Sequence, residues 1–515
     1  MAEKKENNIE ELNERNKRLK SRIERARQDR NHVQTSINKF YELALPWRQP
    51  VSTNPTDALH PRPLEKQSDI FDDTFQHSVR DCAAMMNDLF TPHYRPWASL
   101  KPGRRLSDNE TAKIAPALEA REKAIYDAIR SSDFYEQVQQ PYLELGGSKG
   151  GIIIPYAPSG KPIHCTPIVM SALLDDVGPT GLLDMRAMEF QTTKRNVLKL
   201  WPELKKKLLS DEKFKAKSEM APCTAVQGCH MNDTGSGWIY FIVIDGEVLQ
   251  FKNLSGTEAA PVHVLRWEDS PYSSWGPGFA IPGLPAGRVL QEIGYLFLKN
   301  LGKLIDAPFA YTEDGLFNPE GGIEAGMALP MERGTEFEWL IPDRDVNAAL
   351  FERDQLRLTV KRSMFQDKPE QRGETPPTAT QWIDERAQTD RRMQLNRYRI
   401  YKEWVLPILR RFNWILEKRG DLEPIKIGGD VIEVRFENPI AKTSDAEEVS
   451  RSMQLAQSMA GIFGEQFLAN ADGFETMENW TEKMGDKLLV LKPFDQQSEG
   501  LQGLLGNMRN LTNQA

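Results

Sequence analysis

Apolar residues recur at three- and four-residue spacing in a series of stretches, each of which predicts a helix. The first carries Ile9, Leu12, Asn16, Leu19, Ile23 and Ala26 within a highly charged segment, an amphipathic helix over residues 4–34. Two readings stay open for it: a short coiled-coil seam, or a surface helix lying on its own domain or on a neighbour. Fewer than three heptads, with Asn16 on the seam, favour the surface helix. A proline-rich connector over 46–63 follows, then a core helix over 68–90 with Ser68 or Asp69 as cap and Val79, Ala83, Met86 and Phe90 on one face. Pro92, Pro96 and Pro102 break the chain around Trp97 and Leu100, and helical spacing resumes over 108–139.

From Gly150 the period changes. Runs rich in β-branched and aromatic residues over 152–156, 163–170, 182–190 and 237–252 predict strands, with a helical piece over 195–214 between them. Asp245-Gly246, set between two β-rich arms, is a strong hairpin signal. The first 270 residues therefore read as α+β.

A glycine- and proline-rich stretch, SPYSSWGPGFAIPGLPAG, leads into a helix over 286–306 whose apolar face is too broad for one seam. A short β and turn region over 308–342, a helix over 345–364 and a polar loop over 365–378 come next. The loop opens onto a helical pattern over 376–420 that starts on a proline pair, carries Pro407 inside and ends on Gly420. Such a helix would span roughly 60 Å at 1.5 Å per residue, more than one small domain can bury. Pro407 removes a backbone donor there and predicts a fixed kink. A β segment over 424–436 with a turn at Gly428-Gly429-Asp430, a helix over 444–469 capped by Thr443-Ser444, and a weakly ordered tail over 492–515 complete the pattern.

Composition narrows the class. With 515 residues, 39% hydrophobic and 27% charged, the chain is long enough for several cores. No apolar run approaches the roughly 20 residues of a membrane span, and the opening MAEKKENN lacks an apolar signal region, so cytosol-like conditions are expected. Four cysteines, Cys82, Cys165, Cys223 and Cys229, provide no disulfide framework. A net charge of −8 argues against a globally basic nucleic-acid coat and leaves room for transient contact.

No catalytic constellation emerges, and neither enzyme activity nor a cofactor is expected. The stretch 146–151, GGSKGG, lacks the Gly-Lys-Ser/Thr ending of a phosphate loop. Cys223 and Cys229 have five residues between them, too many for a zinc pair, and read as buried thiols even with His230 and His164 nearby. The neighbouring carboxylates Asp72-Asp73, Asp175-Asp176 and Glu447-Glu448 do not face one another and read as solvated faces. Between 391 and 419 nine basic residues (Arg391, Arg392, Arg397, Arg399, Lys402, Arg410, Arg411, Lys418, Arg419) stand against Glu403 and Glu417. They either pair with acidic neighbours or face a nucleic acid; Trp404, Phe412, Trp414 and Leu416 in the same segment favour packing.

Three stretches carry a family resemblance: FDDTFQHSVRDCAAMMNDLFTPHYRPWASLKP from Phe71, WGPGFAIPGLPAGRVLQEIGYLFLKNLGKLIDAPFAY from Trp275, and TATQWIDERAQ from Thr378. In this order, around a helix, β module, helix, loop and helix core, the chain resembles the portal proteins, or head-to-tail connectors, of short-tailed double-stranded DNA bacteriophages. The resemblance implies an α+β, mainly helical portal fold with wing, stem, clip and crown, a long kinked helix and small β modules. It places the wing at 1–284, the first stem helix at 285–307, the clip at 308–343 and the second stem helix at 344–365. A channel loop at 366–378, the long kinked helix and a wing β segment at 379–438, a crown at 439–485 and a flexible tail at 486–515 follow. The clip is short, and the tail lacks the long helical extension that some relatives have.

The same resemblance implies a homo-oligomeric ring of about twelve copies at a unique capsid vertex. Its partners would be double-stranded DNA in the channel, a terminase packaging motor, a tail adaptor, scaffold and major capsid protein, with no membrane. It would be found in the virion, and in host cytoplasm during assembly. Expected DNA-facing residues are Lys368, Gln371, Arg372, Arg391 and Arg392; expected motor and tail contacts are Asp314, Phe317, Glu320 and Glu324; the helix kink is at Pro407. Lys368 and Arg372 lie among Asp367, Glu370 and Glu374, a near-neutral loop suited to touching phosphates without gripping them. Two other readings compete. A DNA-translocating motor subunit would need the phosphate loop that GGSKGG fails to supply, and a monomeric nucleic-acid-binding module would need a basic, aromatic groove.

Overall fold

A computed structural model describes residues 2–48, 50, 64–102, 108–157, 160–179, 181–268, 270, 273–306, 309–312, 327–331, 338–339, 346–366, 392–394, 396–423, 425–427, 430–431, 434–437, 449–459, 476–477 and 479–480. Outside them lie the connector over 51–63, the clip residues Asp314, Phe317, Glu320 and Glu324, and the channel residues Lys368, Gln371, Arg372 and Arg391. The start of the long helix, most of the expected crown and the tail lie outside them too. The helices are α1 (Ala2–His32), α2 (Gln34–Ala44), α3 (Thr74–Phe90), α4 (Asp108–Arg130), α5 (Phe134–Gln137), α6 (Gln139–Glu144), α7 (Lys194–Leu200), α8 (Lys205–Ser210), α9 (Glu212–Ala216), α10 (Leu284–Ile305), α11 (Val346–Ser363) and α12 (Leu406–Arg419). The strands are β1 (Ser99–Pro102), β2 (Lys149–Ile153), β3 (Thr166–Ile168), β4 (Leu173–Val177), β5 (Leu183–Thr193), β6 (Pro222–Met231), β7 (Gly237–Ile244), β8 (Glu247–Ser255), β9 (Val262–Arg266), β10 (Phe309–Thr312), β11 (Ala328–Met331), β12 (Glu338–Trp339), β13 (Lys426–Ile427), β14 (Asp430–Val431) and β15 (Val434–Glu437). The fold is α+β and mainly helical. The chain divides into two units, Met1–Pro96 with Arg104–Glu433, and Trp97–Gly103 with Val434–Ala515.

The first unit is built on an antiparallel meander in the order β4-β5-β6-β7-β8. Asp245 and Gly246 join β7 to β8 with φ of 49° and 81°, the two left-handed residues of a type I′ turn whose twist matches the strands. Side chains alternate across the sheet. Met185, Ala187, Val226, Phe241 and Val243 face one way and bury Leu19, Ile23 and Ala26 of α1. Cys223, Ala225, Ile242 and Ile244 face the other way onto Val197, Trp201, Leu208 and Phe214 of α7 to α9. On that second face Met188, Cys229 and Trp238 meet Ile153, Ile168, Val262 and Val264 of a three-stranded sheet, β3-β2-β9.

Between the two readings of the first helix, Leu19, Ile23 and Ala26 decide for the chain's own domain. Arginines fasten the helix further: Arg22 pairs with Asp176 and Asp184 at 3.2 and 3.0 Å, and Arg27 and Arg30 reach Glu189 at 2.6 and 2.7 Å.

Several expectations change. The helix expected over 68–90 begins at Thr74, because Asp72 accepts from the Thr74 N–H at 3.0 Å, while Leu64–Asp69 forms a 3₁₀ turn. Pro202 cannot continue a helix, and the segment over 195–214 is three short helices with a 3₁₀ turn. Strand β6 had no clear signal, since Gly228, Gln227 and two cysteines blur its alternation. Asp175 is not on a solvated face: it is fully buried and paired with Lys149 at 2.6 Å.

Across the unit runs helical backbone at 392–394 and 396–400, a π-helical turn Tyr401–Val405, and α12. Pro407 lies in the first turn of α12, directly after the π turn. Gly420 ends α12 at φ 82°, and the Asp421 N–H donates to the Leu416 carbonyl at 2.9 Å. Trp404, Ile408, Leu409, Phe412 and Ile415 are buried along its inner side.

In the second unit β1 pairs antiparallel with β15, Leu100 opposite Phe436, and the Trp480 Nε1–H donates to Ser452 Oγ at 3.0 Å. In the first unit, β10 pairs parallel with β11 and antiparallel with β12.

Burial alone would raise the Glu189 carboxyl, but Arg27 and Arg30 outweigh it and hold it below the usual carboxylate range. Stability from these pairs is complete above the unfolded carboxylate's pKa and is lost as pH falls through the folded value. Acidification should therefore release α1 before the sheet, read as faster amide exchange confined to α1, and Glu189→Gln should produce that loosening at neutral pH.

Candidate assembly interface

Helices α10 and α11 pack against each other and against α3, and their seating begins at α3's N-terminus. Gly287 and Gly294 of α10 sit where an added Cβ would come within 2.7 Å of the Phe75 ring and 2.9 Å of Phe71 Cβ, so α10 approaches closely at both points. The Gln291 amide clamps the chain just before α3, its oxygen accepting from the Phe71 and Asp72 N–H groups at 2.7 and 3.1 Å. The buried Asp72 carboxylate then receives Arg357 of α11 at 2.7 Å. Burial would raise Asp72, but its bonds to Thr74 and to Arg357 hold it below the ordinary carboxylate value. One aspartate therefore joins the start of α3 to α11, and its backbone holds α10.

Part of the remaining surface of the pair is apolar and exposed in the single chain. Leu298, Leu301 and Ile305 continue, toward the end of α10, the side that carries Gly287 and Gly294, and they are 52%, 40% and 80% exposed. Val289 and Leu296 form a second exposed stripe. On α11, Phe351 is 66% exposed and Leu358 44%. Isolated exposed apolar residues are ordinary on any protein, but this many on two adjacent helices make the pair the candidate interaction surface. Burying each such side chain is worth about 1.5–3 kcal/mol.

The basic residues of the long helix are largely committed inside the chain. Arg411 is buried and donates to the Ile154 and Ala259 carbonyls at 3.0 and 2.8 Å. Arg399 donates to the Trp267 carbonyl, Arg410 pairs with Glu258, and Arg419 donates to the Ala157 and Gly160 carbonyls. Glu403 receives Arg266 at 2.6 Å, and Glu417 receives Arg121. Lys402 and Lys418 are exposed. Of the expected channel residues, Arg392 lies in the described helix, exposed, with its guanidinium 5.7 Å above the Phe365 ring.

Among the described residues no group of His, Cys, Asp and Glu could hold a metal ion. Cys223 and Cys229 lie in different core clusters, and burial pushes both thiols up to about 11. Among the described helices, none is long and apolar enough to cross a membrane.

A family model described as bacteriophage head to tail connecting protein matches residues 16–487. The chain belongs to that family. Two solved structures are similar to this connector over most of their length. One is described as the virion of a native gene transfer agent particle, with 11% identity, 86% of this chain and 92% of the other covered, and a TM-score of 0.34. The other is described as the neck of an empty gene transfer agent particle computed with C6 symmetry, with 11% identity, 81% and 95% covered, and a TM-score of 0.31. At these scores the likeness carries no argument. No curated protein matches the sequence.

Sequence reasoning missed the Asp72, Gln291 and Arg357 node. Gln291 and Arg357 lie 219 and 285 positions from Asp72; the stretches that carry the family resemblance contain Asp72 and Gln291 but nothing links them, and Asp72, expected on a solvated face, is buried. In the connector, Asp72→Asn should remove the charge on which Arg357 depends and cost about 1–2 kcal/mol, discounted because Arg357 is partly in water. Thermal unfolding of variant and parent measures the loss.

Proposed function

We propose that this connector is a portal: a homo-oligomeric ring, of about twelve copies, that joins capsid to tail and conducts the genome through its central channel. The observation that carries the reading is the apolar surface on α10 and α11, which a single chain leaves in water. In a ring, that surface on each copy meets the next copy, and α10 and α11 form the stem. The segment over 308–343 then forms the clip, contacting the packaging motor and later the tail adaptor through residues such as Asp314, Phe317, Glu320 and Glu324. The loop over 366–378 faces double-stranded DNA with Lys368, Gln371 and Arg372, and Arg391 and Arg392 follow at the start of the long helix. Pro407 sets the bend of that helix within the wing, and residues 439–485 form the crown.

In this reading the ring is a passive platform. A separate terminase supplies the work of packaging, scaffold and major capsid protein surround the ring at one vertex of the virion, and assembly takes place in host cytoplasm. A conduit must avoid a deep energetic well for DNA, because each phosphate neutralised adds salt-dependent affinity. An overall charge of −8, with the long helix's arginines spent on internal carbonyls and carboxylates, suits passage better than capture. Against a motor subunit stands Lys149, the lysine of GGSKGG, which is fully buried and bound to Asp175 and so has no reach to a nucleotide.

Light scattering coupled to gel filtration tests the ring. The parent chain should elute as a closed oligomer, and Leu301→Glu combined with Ile305→Glu should yield a folded monomer with unchanged circular dichroism. A parent that stays monomeric across salt and concentration would overturn the reading in favour of a monomeric nucleic-acid-binding module. Deleting residues 366–378 should leave the ring intact and reduce DNA packaging or retention, measured as DNA held per particle.

A further inference from the structure

Two glycine-containing stretches, GGSK at 146–149 and SWGPG at 274–278, lie more than a hundred residues apart in sequence and side by side in the fold. The second belongs to a strap over 273–283 that runs directly into α10. Its backbone is laid on that of the first. The Gly278 N–H donates to the Gly147 carbonyl at 3.1 Å and the Ala280 N–H to the Gly146 carbonyl at 3.0 Å. Ser148 Oγ donates to the Gly276 carbonyl at 2.6 Å. The fit is backbone against backbone: a Cβ at Gly278 would come within 2.3 Å of the Leu145 and Gly146 carbonyl oxygens.

At the head of this contact lies Lys149, fully buried on β2. Its ammonium donates to both Asp175 oxygens at 2.6 and 2.7 Å, to Ser274 Oγ at 3.0 Å and to the Ser274 carbonyl at 3.3 Å. Ser274 Oγ in turn donates to Asp175 Oδ1 at 2.8 Å, and the Trp275 ring covers the ammonium at 3.5 Å. Desolvating a lysine and an aspartate together is costly, and apolar residues of equal volume would often stabilise a core as well or better. What an apolar pair cannot supply is direction: three N–H donors fix where Ser274 and Trp275 lie.

We propose that Lys149 is a positioning residue whose buried contacts with Asp175, Ser274 and Trp275 register the strap over 273–283 on the sheet and thereby set the angle at which α10 leaves it. Its significance for a portal rests on reading α10 as a stem helix, but the joint itself is tested independently of any ring. The Asp72 node holds α10 and α11 separately, through Gln291 and Arg357.

Amide hydrogen exchange on the full-length protein tests the joint with two variants. Lys149→Met removes the charge and the donors; Ser274→Ala leaves the ion pair in place and removes only the two Ser274 hydroxyl bonds to it. In Lys149→Met the Gly278 and Ala280 amides should exchange about tenfold faster or more, with amides of β6 and β7 unchanged. Ser274→Ala should accelerate the same amides to a smaller extent. Unchanged exchange at 278 and 280 in both variants would overturn the proposal. So would acceleration spread evenly over the sheet in Ser274→Ala, which would make the cluster a general stabiliser. Light scattering on the same samples separates this test from the ring: a monomeric parent with a responsive strap would remove the portal reading and leave the joint standing.

Discussion

The buried side of α12 and of the π turn before it forces the arrangement of the first unit, because a helix carrying Trp404, Ile408, Leu409, Phe412 and Ile415 has to be enclosed on several sides at once. Phe134 of α5 meets Phe412 edge-on at 5.3 Å, and Tyr142 of α6 meets Trp404 at 6.4 Å. Apolar contact supplies the driving force but little register, since such faces tolerate sliding. Polar groups fix the register. Arg411 ties the helix to the ends of β2 and of the 3₁₀ turn Thr257–Ala259, Arg266 of β9 holds Glu403, and Arg121 of α4 holds Asn413 at 2.7 Å. Each arginine joins segments distant in sequence.

The α10 and α11 pair obeys the opposite economy. It is attached to the rest of the unit through the Phe71 and Phe75 contacts, the Asp72 node and a few buried side chains such as Leu290 and Val360, and it leaves several other large apolar side chains in water. In the proposed ring, part of the hydrophobic stabilisation is deferred until copies meet, and apparent stability would then depend on protomer concentration. Such a ring would also explain a helical pattern whose apolar face was too broad for a single intramolecular seam.

Much of this was legible in sequence where local chemistry decides. The Asp245-Gly246 turn needs two left-handed residues and declares itself, and α10 and α11 follow from their spacing within two residues of their expected ends. The head-to-tail family could be named from three stretches in their order. What could not be read were decisions made at long range. The sequence of GGSKGG says that its lysine fails a phosphate loop but not that it lies against Asp175, 26 positions on. Asp175 and Asp176 look alike in sequence, yet one is buried with Lys149 and the other faces Arg22 of α1. The basic run of the long helix reads as packed rather than facing nucleic acid, but its partners could not be named, because backbone carbonyls such as those at 154, 157, 259 and 267 carry no sequence signature.

The four thiols form no disulfide and are all buried, at positions 82, 165, 223 and 229, and burial raises the pKa of each. Since the thiolate is the reactive form, a folded chain at neutral pH presents almost no native nucleophilic sulfur to an alkylating or maleimide reagent. The molecule is thereby its own blank background. A cysteine introduced on the outer side of α10 or α11 would be the dominant fast-reacting sulfur, open to spectroscopic tagging or to covalent cross-linking without first stripping the natural ones.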